Sequence, residues 1–120
     1  MRILAVEPER KPEIREIDEG LEAMSEIVGG LIQAVYPFDE PVALVCNDEG
    51  RLLGLPMNRA LRDETGEVYD ILCGTFFICG ISGDRFTSLT EEQVHHFKQV
   101  FGIPEMFMKA GSSLIVLPLI

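Results

Sequence analysis

Basic residues are scarce in this chain. Ten lysines and arginines stand against twenty acids in 120 residues, giving a formal charge of −10 and a pI near 4.5. That balance argues against direct binding to a nucleic-acid backbone, which needs clustered Lys and Arg to displace counterions. It also disfavours anionic membrane surfaces. Long apolar runs are missing too. The longest is Leu114 to Ile120, far short of the roughly 18 residues of a spanning helix. The apolar run Ile3 to Val6 is followed at once by Glu7, which does not suit the central region of a signal peptide. Cysteine is sparse and odd in number: Cys46, Cys73 and Cys79. An odd count inside apolar segments speaks against a disulfide framework and for reduced, buried, unligated thiols. A cytoplasmic protein is expected.

Metal and catalytic signatures are absent as well. Cys73-x5-Cys79 fits no common zinc ribbon or finger. On one continuous strand the two thiols would share a face yet lie about 20 Å apart, too far to share an ion. His95 and His96 are adjacent, hence about 100° apart around a helix. No nucleophile–base pairing accompanies them. No cofactor is expected. There is no internal repeat and no low-complexity linker.

What remains is a chain that folds. Hydrophobic residues are 47% and charged residues 25%, with a mean hydropathy of +0.18, which excludes intrinsic disorder. The length predicts one domain over 1–120, with 102–120 as an apolar C-terminal extension.

Periodicity predicts a first hairpin, Arg2–Val6 with Glu13–Ile17, across the turn 7–12. Asp18 is the expected cap of a helix near 19–28, with Leu21, Met24, Ile27 and Val28 as its apolar stripe and Gly29-Gly30 as its stop. Leu31–Val35 reads as a strand. Residues 42–55 read as a hairpin around Asn47-Asp-Glu-Gly50, and Pro56–Arg62 as a helical turn or a loop. Val68–Ile81, apolar on both faces, is the expected interior strand. Thr90 with Gln93 forms a capping box for a helix near 91–101 with Val94, Phe97, Val100 and Phe101 inward. The fold class expected is α+β, a mostly antiparallel sheet of hairpins covered by two helices.

Candidate site residues gather in one stretch. Asn58, Arg59 and Arg62 carry two of the six bases after position 40, beside an amide. Arginine's planar fork suits phosphate or carboxylate, asparagine reads a base edge or ribose, and Tyr36 or Phe38 in another turn is placed to stack. The pocket expected is for an anionic, nucleotide-like ligand. The competing structural reading pairs the arginines with Asp63, Glu64 or Asp70. A second charge feature is the acidic run Glu13, Glu16, Asp18, Glu19, Glu22 and Glu26. It is either a solvated face or a mimic of DNA phosphates, although Arg10, Lys11 and Arg15 interrupt it.

The segments Leu21–Gly30, Asn47–Leu61, Gly74–Gly80 and Phe86–Thr90, with Val6-Glu-Pro near the start, resemble a small family of unknown function carried by bacterial mobile elements and phages. The resemblance runs from Met1 to about Phe101. It implies no catalytic residues. It does imply a setting: small acidic accessory proteins that counteract host defences inside the bacterial host.

Three function classes follow. The first is a non-catalytic binder sequestering a nucleotide-like signal. The second is a protein-interaction module such as an acidic DNA mimic inhibiting a host DNA-binding enzyme. An enzyme fits least. The tail Leu114–Ile120 adds an expectation about assembly: six aliphatic side chains and one proline are worth on the order of 8–15 kcal/mol if buried. The tail is expected to pair at a sheet edge and to contribute to a homo-oligomer, most simply a dimer.

Overall fold

A computed structural model describes residues 1–119. Its centre is a six-stranded antiparallel sheet ordered β2-β1-β7-β4-β3, with β8 also paired to β7. The strands are β1 (Arg2–Val6), β2 (Glu13–Glu16), β3 (Ile32–Val35), β4 (Val42–Asn47), β7 (Phe76–Ser82) and β8 (Arg85–Thr87). Ile78 faces Leu4 of β1 on one edge and Leu44 of β4 on the other, so β7 is interior. The fold is α+β with a mostly antiparallel sheet and two helices, as the periodicity predicts.

Alternation sorts the sheet's side chains into two cores. Ile3, Ala5, Ala43, Val45, Phe77 and Cys79 meet Met24 and Val28 of helix α1 (Leu21–Val28) on one face. Leu4, Val6, Val42, Leu44, Phe76 and Ile78 meet Val94, Phe97 and Phe101 from helix α2 (Glu91–Val100) and its C-cap on the other. Leu61 and Leu72 join this second core from a separate hairpin, β5 (Met57–Arg62) with β6 (Val68–Cys73). A third pair, β9 (Glu105–Ala110) with β10 (Ser113–Pro118), forms its own two-stranded sheet.

The α2 capping box forms as expected, with Thr90 Oγ1 accepting from Gln93 N and Gln93 Oε1 accepting from Thr90 N. Helix α1 begins later than an Asp18 cap would allow. Gly20 holds the N-cap position at φ 114 with no side-chain bond, and Gly29 ends the helix in the left-handed region.

Three other expectations are corrected. Val68–Ile81 is two strands rather than one, broken at Gly74, whose φ is +84. A Cβ there would sit 2.7 Å from Leu55 Cδ1, so only glycine turns the chain at this point. β6 is consequently exposed over Val68–Asp70 and only β7 is interior. The break also puts Cys73 and Cys79 on different strands. Residues 42–55 are not a hairpin. β4 already pairs with β3 and β7, which leaves no edge for a strand at 51–55, and residues 48–54 run as successive turns. Met57–Arg62 is a strand, because pairing with β6 overrides its helix-favouring composition.

The tail is paired within its own chain: Ser113–Pro118 forms an antiparallel ladder with β9. Ile120 of the expected tail lies outside the described residues. No helix among the described residues is long and apolar enough to cross a membrane.

Candidate functional site

Asn58 and Arg59 sit on β5, 0% and 1% exposed. Such burial demands partners for every polar atom, and both have them. Asn58 Nδ2 donates to Val6 O and Gly74 O, each at 2.8 Å. Arg59 Nε donates to Phe101 O at 3.3 Å. Its Nη1 donates to Asn58 O and Oδ1, and its Nη2 to Arg10 O and Phe101 O. A guanidinium has five N–H donors, and these five bonds use them all.

No carboxylate lies in salt-bridge contact with Arg59 among the described residues. Its charge is met by carbonyl oxygens, two of the five bonds ending on the C-cap of α2, the negative end of a helix dipole. Burial pushes its pKa below the ordinary arginine value, against the opposing pull of the nearby Glu105 carboxylate. Asn58 and Arg59 therefore weld the end of β1, the β1–β2 turn, the Gly74 turn and the end of α2 together. This is a structural arrangement. It differs from the expected carboxylate pairing because backbone oxygens and the Asn58 amide oxygen, not Asp63, Glu64 or Asp70, are the acceptors.

Arg62 has a different environment. Its side chain is 40% exposed, and Nη2 meets Glu105 Oε2 at 2.8 Å. Glu105 Oε1 accepts from Ala60 N at 2.9 Å, so one carboxylate ties β9 to β5. Tyr36 is 60% exposed and stands outside this group.

Above the Asn58–Arg59 layer opens a cleft of about 450 Å³. Phe38, Phe101, Val100 and Ile103 give it an apolar wall, and Arg62, Tyr69, Gln99 and Glu105 a polar margin. Phe38 packs edge-on against Phe97 and Phe101, with centroids 4.8 and 6.0 Å apart, which fixes the wall. Of the four residues expected at a site, Arg59 and Arg62 line the cleft, Asn58 supports it from beneath, and Tyr36 does not reach it.

Sequence reasoning missed Tyr69, Phe101 and Glu105; of the two stacking candidates, Tyr36 and Phe38, it is Phe38 that lines the cleft. One signal for Glu105 was present: it is the lone acid in the apolar segment after Gly102.

The two histidines are engaged elsewhere. His96 Nε2 meets Glu40 Oε1 at 3.1 Å on the surface, and His95 faces Gln99. Cys46 and Cys79 are buried and Cys73 is half-buried, against the expectation that all three are buried. Burial pushes the Cys79 thiol up to about 12. It also raises Cys46, reinforced by Asp70 and Asp48. Both shifts favour the neutral thiol over the thiolate.

Residues 1–102 match the family described as Domain of unknown function (DUF3846). The chain belongs to this family. The matched stretch contains the central sheet, both helices, and Asn58, Arg59 and Arg62. It stops before β9, so the DUF3846 region holds only part of the cleft, and Ile103, Glu105 and Pro118 complete it from outside the match. No curated protein and no solved structure matches the chain.

Proposed function

We propose that this DUF3846 protein is a non-catalytic binding protein whose cleft takes a small, nucleotide-like anion. The observation that carries this reading is the pairing of a fixed aromatic wall, Phe38 and Phe101, with a half-exposed guanidinium on the same cleft. An aromatic apolar wall suits a base, and an arginine fork at its margin suits a phosphate. Arg62 spends one hydrogen bond on Glu105 and retains donors for an anion. Arg59 contributes the positive field from beneath while its own donors stay on carbonyls.

The setting is the one the resemblance implies: an accessory protein of a phage or mobile element in the host cytoplasm. There it holds a nucleotide signal and withdraws it from a defence pathway. The engaged histidines and the buried Cys46 and Cys79 favour binding over chemistry.

Calorimetric titration with nucleoside monophosphates and dinucleotides tests the proposal. At least one ligand binds with Kd between about 1 µM and 1 mM, and Arg62→Ala weakens it tenfold or more while Tyr36→Ala does not. The absence of binding by every nucleotide, or binding indifferent to Arg62→Ala, overturns it.

A second reading is an acidic protein-interaction module that inhibits a host DNA-binding enzyme. Glu13, Glu16, Asp18, Glu19, Glu22 and Glu26 are all exposed, which favours it. It ranks second because Arg2 pairs with Glu16, and Arg15 with Glu7 and Glu13, breaking the run of free carboxylates.

A further inference from the structure

The β9–β10 hairpin has two unlike faces. Met106 lies opposite Leu117, and Met108 opposite Ile115. Directly opposed residues of an antiparallel pair share a face, so these four form one apolar patch. Their exposures are 38%, 41%, 47% and 41% for Met106, Leu117, Met108 and Ile115. On the reverse face Phe107 lies opposite Val116, and both are half-buried. The hairpin thus turns one face toward the body and leaves an uncharged face outward. Leu119, bonded through its N–H to Pro104 O at 2.7 Å, extends that outward face in step with Leu117.

We infer that this outward face is a self-association surface covered by the same face of a second copy. Charge decides the occupant. Two chains of −10 each repel one another on approach. The hairpin carries one acid and one base, Glu105 and Lys109, and neither belongs to the outward patch. It is therefore a place where two copies meet without opposing carboxylates. A basic partner is drawn instead to the exposed acids of β2 and α1.

A two-stranded ribbon is marginal by itself in water, and ribbon faces pack about 10 Å apart, closing around a two-fold axis. The area available is on the order of 400 Å² per copy, about 800 Å² for the pair and below the roughly 1,000 Å² of a stable specific interface, so the dimer is weak, transient and concentration-dependent. The surface lies beyond residue 102, where the family match ends. It is an addition to the matched region, and its use does not depend on the cleft being occupied.

Sedimentation of the full chain between about 5 µM and about 500 µM tests this. The expected result is a mass rising with concentration from 13.4 kDa toward twice that value. The double variant Met108→Lys, Ile115→Lys places like charges across the two-fold and stays monomeric over the whole range, with its circular dichroism unchanged. Leu114→Lys, on the reverse face, associates like the parent. If the double variant unfolds, Leu117→Gln is the substitute and weakens association at least fivefold. A parent that is monomeric throughout overturns the inference. So does association that persists within twofold in the outward-face variant that folds.

Discussion

Strand β4 reads Val-Ala-Leu-Val-Cys-Asn and is buried at all six positions, while β10 reads Ser-Leu-Ile-Val-Leu-Pro and is exposed at five of six. The two are written in nearly the same apolar alphabet. What separates them is the number of neighbours their place in the chain supplies. β4 has β3 on one edge and β7 on the other, with α1 on one face and α2 and the β5–β6 hairpin on the opposite face. β10 has β9 on one edge and the body of the molecule on one face only. Aliphatic composition says that a strand gains by burial; topology decides how much of that burial its own chain provides.

The widest test of this contrast is Ile78→Ala. Ile78 is fully buried between Leu4 and Leu44 at the middle of the sheet. Its truncation leaves a cavity with both edges fixed, and the expected loss is about 2–5 kcal/mol. A urea transition should show the lower midpoint with an unchanged slope. A loss below about 1 kcal/mol would mean that the central sheet relaxes around the void, and that the contrast between β4, β7 and β10 is weaker than their burial indicates.

Arg59→Ala comes next. The variant strips partners from Phe101 O, Arg10 O, Asn58 O and Asn58 Oδ1 in a largely buried site. Each orphaned acceptor carries part of a desolvation cost, offset by removal of a buried cation, and the expected net loss is about 3 kcal/mol. Arg59→Lys recovers less than half of it, since an ammonium is a compact centre with three donors rather than a planar fork with five. Full recovery by lysine would show that charge, not the five-bond geometry, is what the site requires. Thermal unfolding of the two variants side by side separates these outcomes.

Much of the fold was legible because it is local. The α2 capping box depends on Thr90 and Gln93, three residues apart, and the α1 stop depends on Gly29. The apolar parity of Phe77, Cys79 and Ile81 against Phe76 and Ile78 is visible in the chain and reappears as the two cores. The misreadings share a cause. Whether 51–55 extends a hairpin depends on β7, some 25 residues on, having taken the second edge of β4. Whether 68–81 runs straight depends on Leu55 lying against Gly74.

The site divides in the same way. That Asn58, Arg59 and Arg62 cluster is a fact of sequence. That Arg59 faces Phe101 and Arg10 while Arg62 faces Glu105 is a fact of separations of 42, 49 and 43 residues. Scarcity of bases points to this strand, but it cannot tell that the donors of Arg59 all go to carbonyl oxygens while Arg62 stays half-exposed and pairs with Glu105.

The smallest expected effect is the counterpart of the first. Ile115→Ala removes the same atoms as Ile78→Ala, from a side chain that is 41% exposed on the outward face of the hairpin. Only part of its area leaves water on folding, no closed cavity forms, and solvent fills the space. The expected loss is about 0.5 kcal/mol in dilute protein, where each chain is alone. The ratio between the two truncations then measures what neighbours add to one isoleucine. The loss should grow as protein concentration is raised, because association stabilises the folded chain by mass action and the variant associates less. Urea midpoints of parent and Ile115→Ala at low and high concentration check this. A gap that widens ties the exposed hairpin to a second copy. A gap that stays constant means β10 draws all its stability from β9 and the body beneath it.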